Sequence, residues 1–384
     1  MLAIGLMSGT SLDGVDAALV RISPRGESYD AELVHFETHP YPPELRAELL
    51  AALPPNRGSI AEVAHLDRVL GEIYGQMARS VARAQNVDYV ASHGQTMFHD
   101  GPARETVQLG DAFAIREAVG ATVCYDFRTA DCAAGGQGAP LVARVDALLL
   151  SSDTEDRVAL NLGGIANITL LRAGASPDEA MAFDTGPANM LLDAFVSERT
   201  AGTQTFDDYG ALAASGVVQQ RLLDAMLADP YFALAPPKTS GRERFGAQFL
   251  ATHRDALARL SLEDGAATLT ELTAASVADA IAKAGLSGAR VIVSGGGAHN
   301  RALLARIAAR LEGACVESSD AMGIPADAKE AIAFTVLGYE TLRERAANVP
   351  AATGATRPVV LGAIAPYRLR DLLERVGAEC AAVR

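Results

Sequence analysis

The 384-residue chain reads as an α/β protein built from two related halves. Three observations predict this. Strand-like alternation and helical periodicity take turns along most of its length. Two glycine-rich hairpins, "GLMSGTSLDGVDAALV" at 5–20 and "LNLGGIANITLL" at 160–171, open two such cycles. A strand, a glycine run and a helix follow late in the second cycle, in "VIVSGGGAHNRALL" at 291–304.

In the first hairpin Leu2, Ile4 and Leu6 end one strand, and Val15, Ala17 and Leu19 alternate as the next. Gly9 and Gly14 can take positive φ between them. Ser8, Thr10 and Ser11 offer hydroxyls, and uncovered backbone N–H groups suit phosphate oxygens. Asp13 and Asp16 fit such a turn if Mg²⁺ lies between carboxylate and phosphate. A hairpin that holds nothing is the plain alternative.

Further strand residues, "AELVHFETHPY", precede a helical zone from about Pro43 to Ala84, with Leu45, Leu49, Leu66, Leu70 and Ile73 at helical spacing. "VDYVASHGQT" is a buried strand ending in a turn, "DAFAIREAVGATVCYDF" a helix then a strand, and "LVARVDALLLSS" a helix. In the second half "AMAFDTGPANMLLDAFV" is a strand, a loop and a helix, and helical stretches fill 211–284. The expected domains are 1–130 and 131–360, with about 360–384 returning to the first through "VVLGAIAPY".

Composition removes several classes of function. Acidic residues outnumber basic ones by 47 to 33, which argues against nucleic acid, since phosphate backbones need clustered Lys and Arg. Asp13 and Asp16 arrive too early for a signal peptide or membrane helix, and no apolar run approaches twenty residues. Cys124, Cys132, Cys315 and Cys380 lack CxxC spacing, so reduced thiols in a cytoplasmic protein are expected. There is no P-loop and no GxGxxG after the first strand.

Several clusters can carry chemistry. Asp184 stands just past a strand, where a carboxylate can take a proton from a hydroxyl or water, or can simply bond the turn. His93, Gln95 and His99 lie in "SHGQTMFH"; their spacing fits no metal pair and suits hydrogen bonding to a polar small molecule. Asp126, Arg128 and Asp131 can bind a carboxylate through the arginine fork or form an internal ion-pair network. Gly295, Gly296 and Gly297 let a ligand approach the start of a helix, or make a tight turn. Lys238, in "PPKTSGRERF", lies in a solvated loop from which it could reach a phosphate. Glu330 sits in the first turns of a helix, where the dipole favours a carboxylate whatever its role.

Taken together, "GLMSGTSLDGVD", "SHGQT", "QLGD", "DFRTAD", "GGQGAPLV", "LNLGGIANIT", "FDTGPAN", "PPKTSGRE", "SGGGAHN" and "DAKEAIAF" occur in order over nearly the whole chain. In this the sequence resembles the bacterial anhydro-N-acetylmuramic acid kinases, of the actin, hexokinase and Hsp70 ATPase superfamily. The resemblance implies two α/β domains of related, ribonuclease H-like topology with the active site in the cleft between them. It implies ATP and Mg²⁺, and conversion of 1,6-anhydro-N-acetylmuramic acid and water into N-acetylmuramic acid 6-phosphate in peptidoglycan recycling. Asp184 matches the general base. Gly9, Thr10, Ser11, Leu12, Asp13, Gly14, Val15 and Asp16 match the first phosphate segment, with Asp13 as a Mg²⁺ ligand. Gly163 and Gly164 match the second, and Gly295, Gly296 and Gly297 the adenosine side. His93, Gln95, Arg128, Gly186, Asn189 and Glu330 fall in substrate-binding segments, with Arg128 suited to the lactyl carboxylate. A small-molecule substrate, no membrane or nucleic-acid partner and a homodimer are expected. The local departure is "KTSG", where "KSTG" is the expected order.

Two other functions remain open at this stage. One is a superfamily kinase for an ordinary amino-sugar hydroxyl. The other is a nucleotide-gated binding protein, against which stands the lack of a spare partner-binding domain.

Overall fold

The computed structural model describes residues 1–9, 12, 14–53 and 58–382. It divides into two compact units: unit 1 holds residues 1–149, 177–179 and the chain from Ala328 onward, and unit 2 holds 150–176 and 180–327. The expected boundaries at 130/131 and about 360 both fall inside unit 1. The helix after "GGQGAPLV" and the long helix from Lys329 belong with unit 1, and helical periodicity alone cannot say to which unit a helix belongs.

Unit 1 begins with an antiparallel meander, β1 (Leu2–Ser8), β2 (Gly14–Arg25) and β3 (Ser28–Pro40). The helical zone that follows is two helices, α1 (Pro43–Ala52) and α2 (Ile60–Ala82). Ser59 starts α2 with a capping box, its hydroxyl accepting from the Glu62 N–H while the Glu62 carboxylate accepts from the Ser59 N–H. β4 (Tyr89–Asp100) returns parallel to β1, and β5 (Glu105–Leu109) folds back on the far end of β4. Then come α3 (Ala112–Val119), β6 (Thr122–Tyr125), α4 (Thr129–Ala133) and α5 (Ala143–Leu150).

Unit 2 repeats the plan. β7 (Arg157–Leu162), β8 (Ile165–Leu171) and β9 (Met181–Pro187) form a second antiparallel meander, followed by α6 (Asn189–Arg199). Short helices α7 (Ala211–Ser215), α8 (Gln220–Leu227), α9 (Arg242–Phe245) and α10 (Ala247–Leu257) lead to the long α11 (Leu262–Lys283). β10 (Arg290–Ser294), α12 (Arg301–Arg310) and β11 (Cys315–Ser318) complete it. The chain then re-enters unit 1 through α13 (Lys329–Leu342), α14 (Pro350–Thr353), β12 (Ala363–Ala365) and α15 (Leu369–Ala382).

The sheets have one order. It is β3-β2-β1-β4-β6 in the first and β9-β8-β7-β10-β11 in the second. In each, the first three strands are antiparallel and the last two join in parallel. This is the related, ribonuclease H-like topology expected of the two halves; the first sheet adds β5 and, antiparallel to β6, β12.

Each unit has its own core. Unit 1 packs Ile4, Leu6, Val15, Leu19 and Val90 against Leu66, Leu70, Tyr74 and Ile115. Its other face takes α13, which comes so close to β1 that a Cβ on Gly5 would overlap the Ala331 carbonyl oxygen. Unit 2 packs Val158, Leu160, Ile168, Val291 and Val293 against Val277, Ile281, Leu303 and Ile307. A second apolar cluster joins its helices through Phe195, Leu223, Met226, Phe245 and Leu272.

Candidate functional site

The loop between β1 and β2 is fixed at its base by a buried cluster of hydroxyls and one amide. The Ser8 Oγ lies 2.7 Å from the Tyr74 hydroxyl, and the Tyr41 hydroxyl lies 2.8 Å from that of Tyr74. Tyr41 also reaches Gln95 Oε1 at 3.1 Å, while Gln95 Nε2 donates to the Gly9 carbonyl at 3.0 Å. Gln95 is fully buried, so the structure uses its amide to hold the loop. Leu12 has left-handed backbone (φ +56°) and buries its side chain in the unit 1 core, while its carbonyl accepts from Arg46 Nε at 3.0 Å. The positive φ expected at Gly14 falls instead on Leu12; Gly14 is demanded by packing, because a Cβ there would overlap the His39 carbonyl oxygen. Asp16 pairs across the sheet with Thr38, whose hydroxyl donates to its Oδ1 at 2.7 Å. Thr10, Ser11 and Asp13, the last with its expected Mg²⁺ role, lie outside the described residues.

Beside this loop, His93 and Arg128 act as one unit. His93 Nδ1 donates to the Gly94 carbonyl at 2.7 Å, which leaves Nε2 to accept from Arg128 Nε and Nη2 at 3.2 and 2.8 Å. Burial and the neighbouring guanidinium push His93 down to about 3, so it is neutral. Arg128 also donates to the Gly138 carbonyl at 2.6 Å, and burial lowers it to about 10, which leaves it charged at neutral pH. A guanidinium has five N–H donors, so this anchoring still leaves N–H groups for an anion. Asp131 is structural: its buried carboxylate accepts from Gly138 N, Asn348 Nδ2 and Thr353 Oγ1.

Glu330 stands at the start of α13, half-buried, with its carboxyl raised above the usual range by burial and by Asp16 and Asp146, against Lys329 and Arg128. The adjacent Lys329 forms a buried ion pair with Asp146 on α5 at 2.7 Å. Neither member of that pair was singled out in the sequence. The lysine lies in "DAKEAIAF", but nothing local distinguishes it from a solvated helix-start lysine.

In unit 2, Asp184 lies within β9, three residues before its end, rather than just past a strand. The hairpin pairing runs further than the apolar residues do, since Gly186 and Pro187 still pair with Ala166 and Ile165. The "PPKTSGRERF" segment packs on this aspartate. Ser240 N donates to Asp184 Oδ2 at 2.7 Å, Asp184 N donates to the Lys238 carbonyl at 3.0 Å, and the Tyr231 hydroxyl donates to the Asp184 carbonyl at 2.8 Å. The carboxylate is therefore held by its own backbone and by a loop N–H. Lys238 places its ammonium 4.6 Å from the centre of the Tyr231 ring and bonds the Tyr231 carbonyl, and burial, then Lys283, lowers its pKa. It is drawn onto the loop rather than extended into solvent.

The second glycine hairpin is tied to α6. The Gly163 carbonyl accepts from Asn189 N and the Gly164 carbonyl from Ala188 N and Met190 N, at 3.0 to 3.2 Å. Asn189 Nδ2 donates to the Leu162 carbonyl at 3.0 Å, so that side chain also fixes the turn. Gly186 has φ +153°, and a Cβ there would press on Phe232. Gly295 (φ +77°) and Gly297 seat against Asn161 and Leu162 on β7. This brings the two glycine segments of unit 2 together. Asn189 fixes that junction, and Gly186 seats against Phe232 away from it.

Unit 2 supplies a braced carboxylate and two glycine segments joined at one place, and unit 1 supplies a guanidinium held by a neutral histidine. Among the described residues no group of three or more His, Cys, Asp or Glu is arranged to hold a metal ion, and no helix is long and apolar enough to cross a membrane.

Residues 1–367 match the family model for anhydro-N-acetylmuramic acid kinase. A Xanthomonas axonopodis pv. citri protein of that name is 47% identical over 380 residues, covering 95% of this chain and 98% of its own length. Relatives of the same name from Streptomyces coelicolor and Synechococcus elongatus are 43% identical over 374 residues and 42% over 378, covering 96% and 94% of this chain and 94% and 98% of theirs. The chain belongs to the anhydro-N-acetylmuramic acid kinase family.

Proposed function

We propose that the chain opens the 1,6-anhydro ring of 1,6-anhydro-N-acetylmuramic acid with water and transfers a phosphoryl group from ATP to O6, giving N-acetylmuramic acid 6-phosphate and ADP. Family membership across nearly the whole length supports the reaction. The observation that carries its chemistry is the bracing of Asp184, whose Oδ2 accepts from Ser240 N at 2.7 Å.

Asp184 takes a proton from the water as its oxygen bonds to C1. The C1–O6 bond breaks, its electron pair stays on O6, and O6 bonds to the γ-phosphorus as the bond to the ADP oxygen breaks. A base fixed by loop and backbone needs little reorganisation during this transfer. Arg128 offers its remaining N–H groups to the lactyl carboxylate, a pairing for which the planar fork is suited. Glu330, with its raised pKa, stands where a proton can be held beside the guanidinium. Gly163, Gly164 and Gly296 leave backbone open for close approach of ATP. Mg²⁺, when bound with ATP, would draw charge from the phosphate oxygens; its expected ligand Asp13 lies outside the described residues, and the nearby Asp16 on β2 accepts from the Thr38 hydroxyl.

The test is ADP release with Mg-ATP and the anhydro sugar, with N-acetylmuramic acid and N-acetylglucosamine as controls and the product weighed by mass spectrometry. A product heavier by phosphate plus water, formed only from the anhydro sugar, is expected. Asp184→Asn should lower kcat by about 10² to 10⁴-fold, the range for loss of a general base, with the thermal transition kept. Turnover of an open-ring control alone would point to an ordinary amino-sugar kinase, and tight nucleotide binding without sugar-stimulated turnover to a binding protein.

A further inference from the structure

Asp184 stands on a free sheet edge. β9 is the outer strand of the second sheet and pairs on one side only, with β8. The register slips beside the aspartate: Asn167 faces Asp184 and Ala166 faces Gly186, so Thr185 is an extra residue. A bulge of this kind re-aims side chains, and an edge leaves main-chain N–H and C=O groups without a partner strand. On that side something other than the sheet has to hold Asp184.

The segment after α8 does so through two residues. Asp184 N donates to the Lys238 carbonyl at 3.0 Å, Lys238 Nζ donates to the Tyr231 carbonyl at 3.2 Å, and the Tyr231 hydroxyl donates to the Asp184 carbonyl at 2.8 Å. Each residue gives to the next, and the three bonds close a ring. Ser240, two residues past Lys238, then delivers its N–H to Asp184 Oδ2 at 2.7 Å. Tyr231 is the fixed member. It is 2% exposed, its N–H donates to the Asp229 carboxylate at 2.8 Å, and its aromatic face is met by Lys238 Nζ at 4.6 Å and the Arg244 guanidinium at 5.3 Å. That guanidinium also pairs with Asp229.

We propose that Tyr231 and Lys238 are positioning residues, which act on the reaction through Asp184 by closing this ring and so aiming the Ser240 N–H at its carboxylate. A carboxylate that has to meet a water and a sugar carbon at once is sensitive to a displacement of about an ångström. The ring supplies that precision on a strand the sheet holds from one side. This rests on the role of Asp184 in the function proposed above.

Kinetics and amide exchange test it with Tyr231→Phe, which removes one hydroxyl, and Lys238→Met, which removes the ammonium. Turnover of the anhydro sugar by the unaltered enzyme is checked first by product mass; without it the underlying function fails, and the positioning role with it. Given that turnover, both variants should speed exchange of the Ser240 amide, followed by NMR, by about tenfold or more, the scale of a lost hydrogen bond to a charged group. Each should lower kcat by about 10 to 100-fold with KM for ATP unchanged. The double variant should fall no further than either alone, because the two are links of one ring. In an Asp184→Asn background neither should lower the residual rate again. Lys238→Arg, which keeps a cation on the aromatic face, should keep most of kcat. Lys238 is half-buried on a loop, so its variants keep the test valid if Tyr231→Phe does not fold. A raised KM for ATP in Lys238→Met would return the lysine to a phosphate and overturn the proposal. So would losses that multiply in the double variant or persist in the Asp184→Asn background, or a Ser240 amide that exchanges as before, and each of these leaves the kinase function standing.

Discussion

At the scale of single residues, the chemistry rests on side chains whose protonation is set by burial. His93 is the sharpest case. Its pKa falls from 6.5 to about 3 on folding, through burial first and Arg128 second. A base with a depressed folded pKa binds fewer protons in the folded state, so its share of stability is full above the unfolded value and is lost as pH falls towards the folded one. Between pH 6.5 and 3 that loss is at most about 1.4 kcal/mol per pH unit. Denaturant unfolding at pH 7 and pH 5 should therefore show a steeper fall for the wild type than for His93→Gln, and equal slopes would mean that His93 is not buried neutral. Which residues are candidates was legible, because "SHGQT", "DFRTAD", "FDTGPAN" and the glycine runs are local patterns. What each does was less so. Gln95 and Asn189 look like ligand groups in the sequence, yet each spends its amide on a backbone carbonyl. That choice depends on which distant carbonyl the fold brings near, and no spacing records it. Asp146 and Lys329 are likewise 183 positions apart (329 − 146) in the sequence and 2.7 Å apart in space.

At the scale of elements, glycine is used for proximity as well as for turning. Gly5 lets α13 lie on β1, and Gly338 lets the same helix lie on β4, where a Cβ would come 2.9 Å from that of Ala91. Gly377 on α15 has open space around it. The two kinds of site predict opposite outcomes. Gly5→Ala should destabilise by about 1–3 kcal/mol or more, the cost of overpacking, because the obstacle is a helix carbonyl that cannot swing away. Gly377→Ala should stabilise by roughly 0.5–1 kcal/mol, through the lost backbone freedom of the unfolded chain. Thermal or denaturant unfolding of the pair checks this, and destabilisation by both would remove the distinction. Most elements were readable from periodicity, including both meanders and the strand, glycine and helix series at β10. The misplacements follow from what periodicity omits. The zone from Pro43 to Ala84 divides where its apolar spacing lapses, between Leu53 and Ile60, and Ser59 and Glu62 start the second helix. Asp184, expected just past its strand, lies within it because backbone pairing carries β9 past its apolar residues.

At the scale of the whole molecule, the two sheets share an order but not a continuity of chain. Unit 2 is built from residues 150–327 apart from the short 177–179 segment, and has its own core. Unit 1 is assembled from both ends of the sequence. Its first sheet needs β12 at the edge beyond β6 and α13 across β1 and β4. The ends are also pinned together: the Met1 ammonium bonds Glu379 at 2.9 Å, Glu379 accepts from the Tyr339 hydroxyl at 2.8 Å, and Arg375 pairs with Asp88. Leaving out the chain after 327 exposes the sheet face that α13 covers, with Ile4-bearing β1 held from one side only, and apolar burial is the main stabilising term. Residues 150–327 alone should therefore unfold in one cooperative transition. Residues 1–149 alone should show none, and should regain one when 328–384 is joined to them through a flexible linker. Circular dichroism melts and amide dispersion in NMR read both outcomes. A cooperative 1–149 fragment would mean that the meander and α2 suffice for unit 1, and a non-cooperative 150–327 fragment would mean that the second core does not stand by itself.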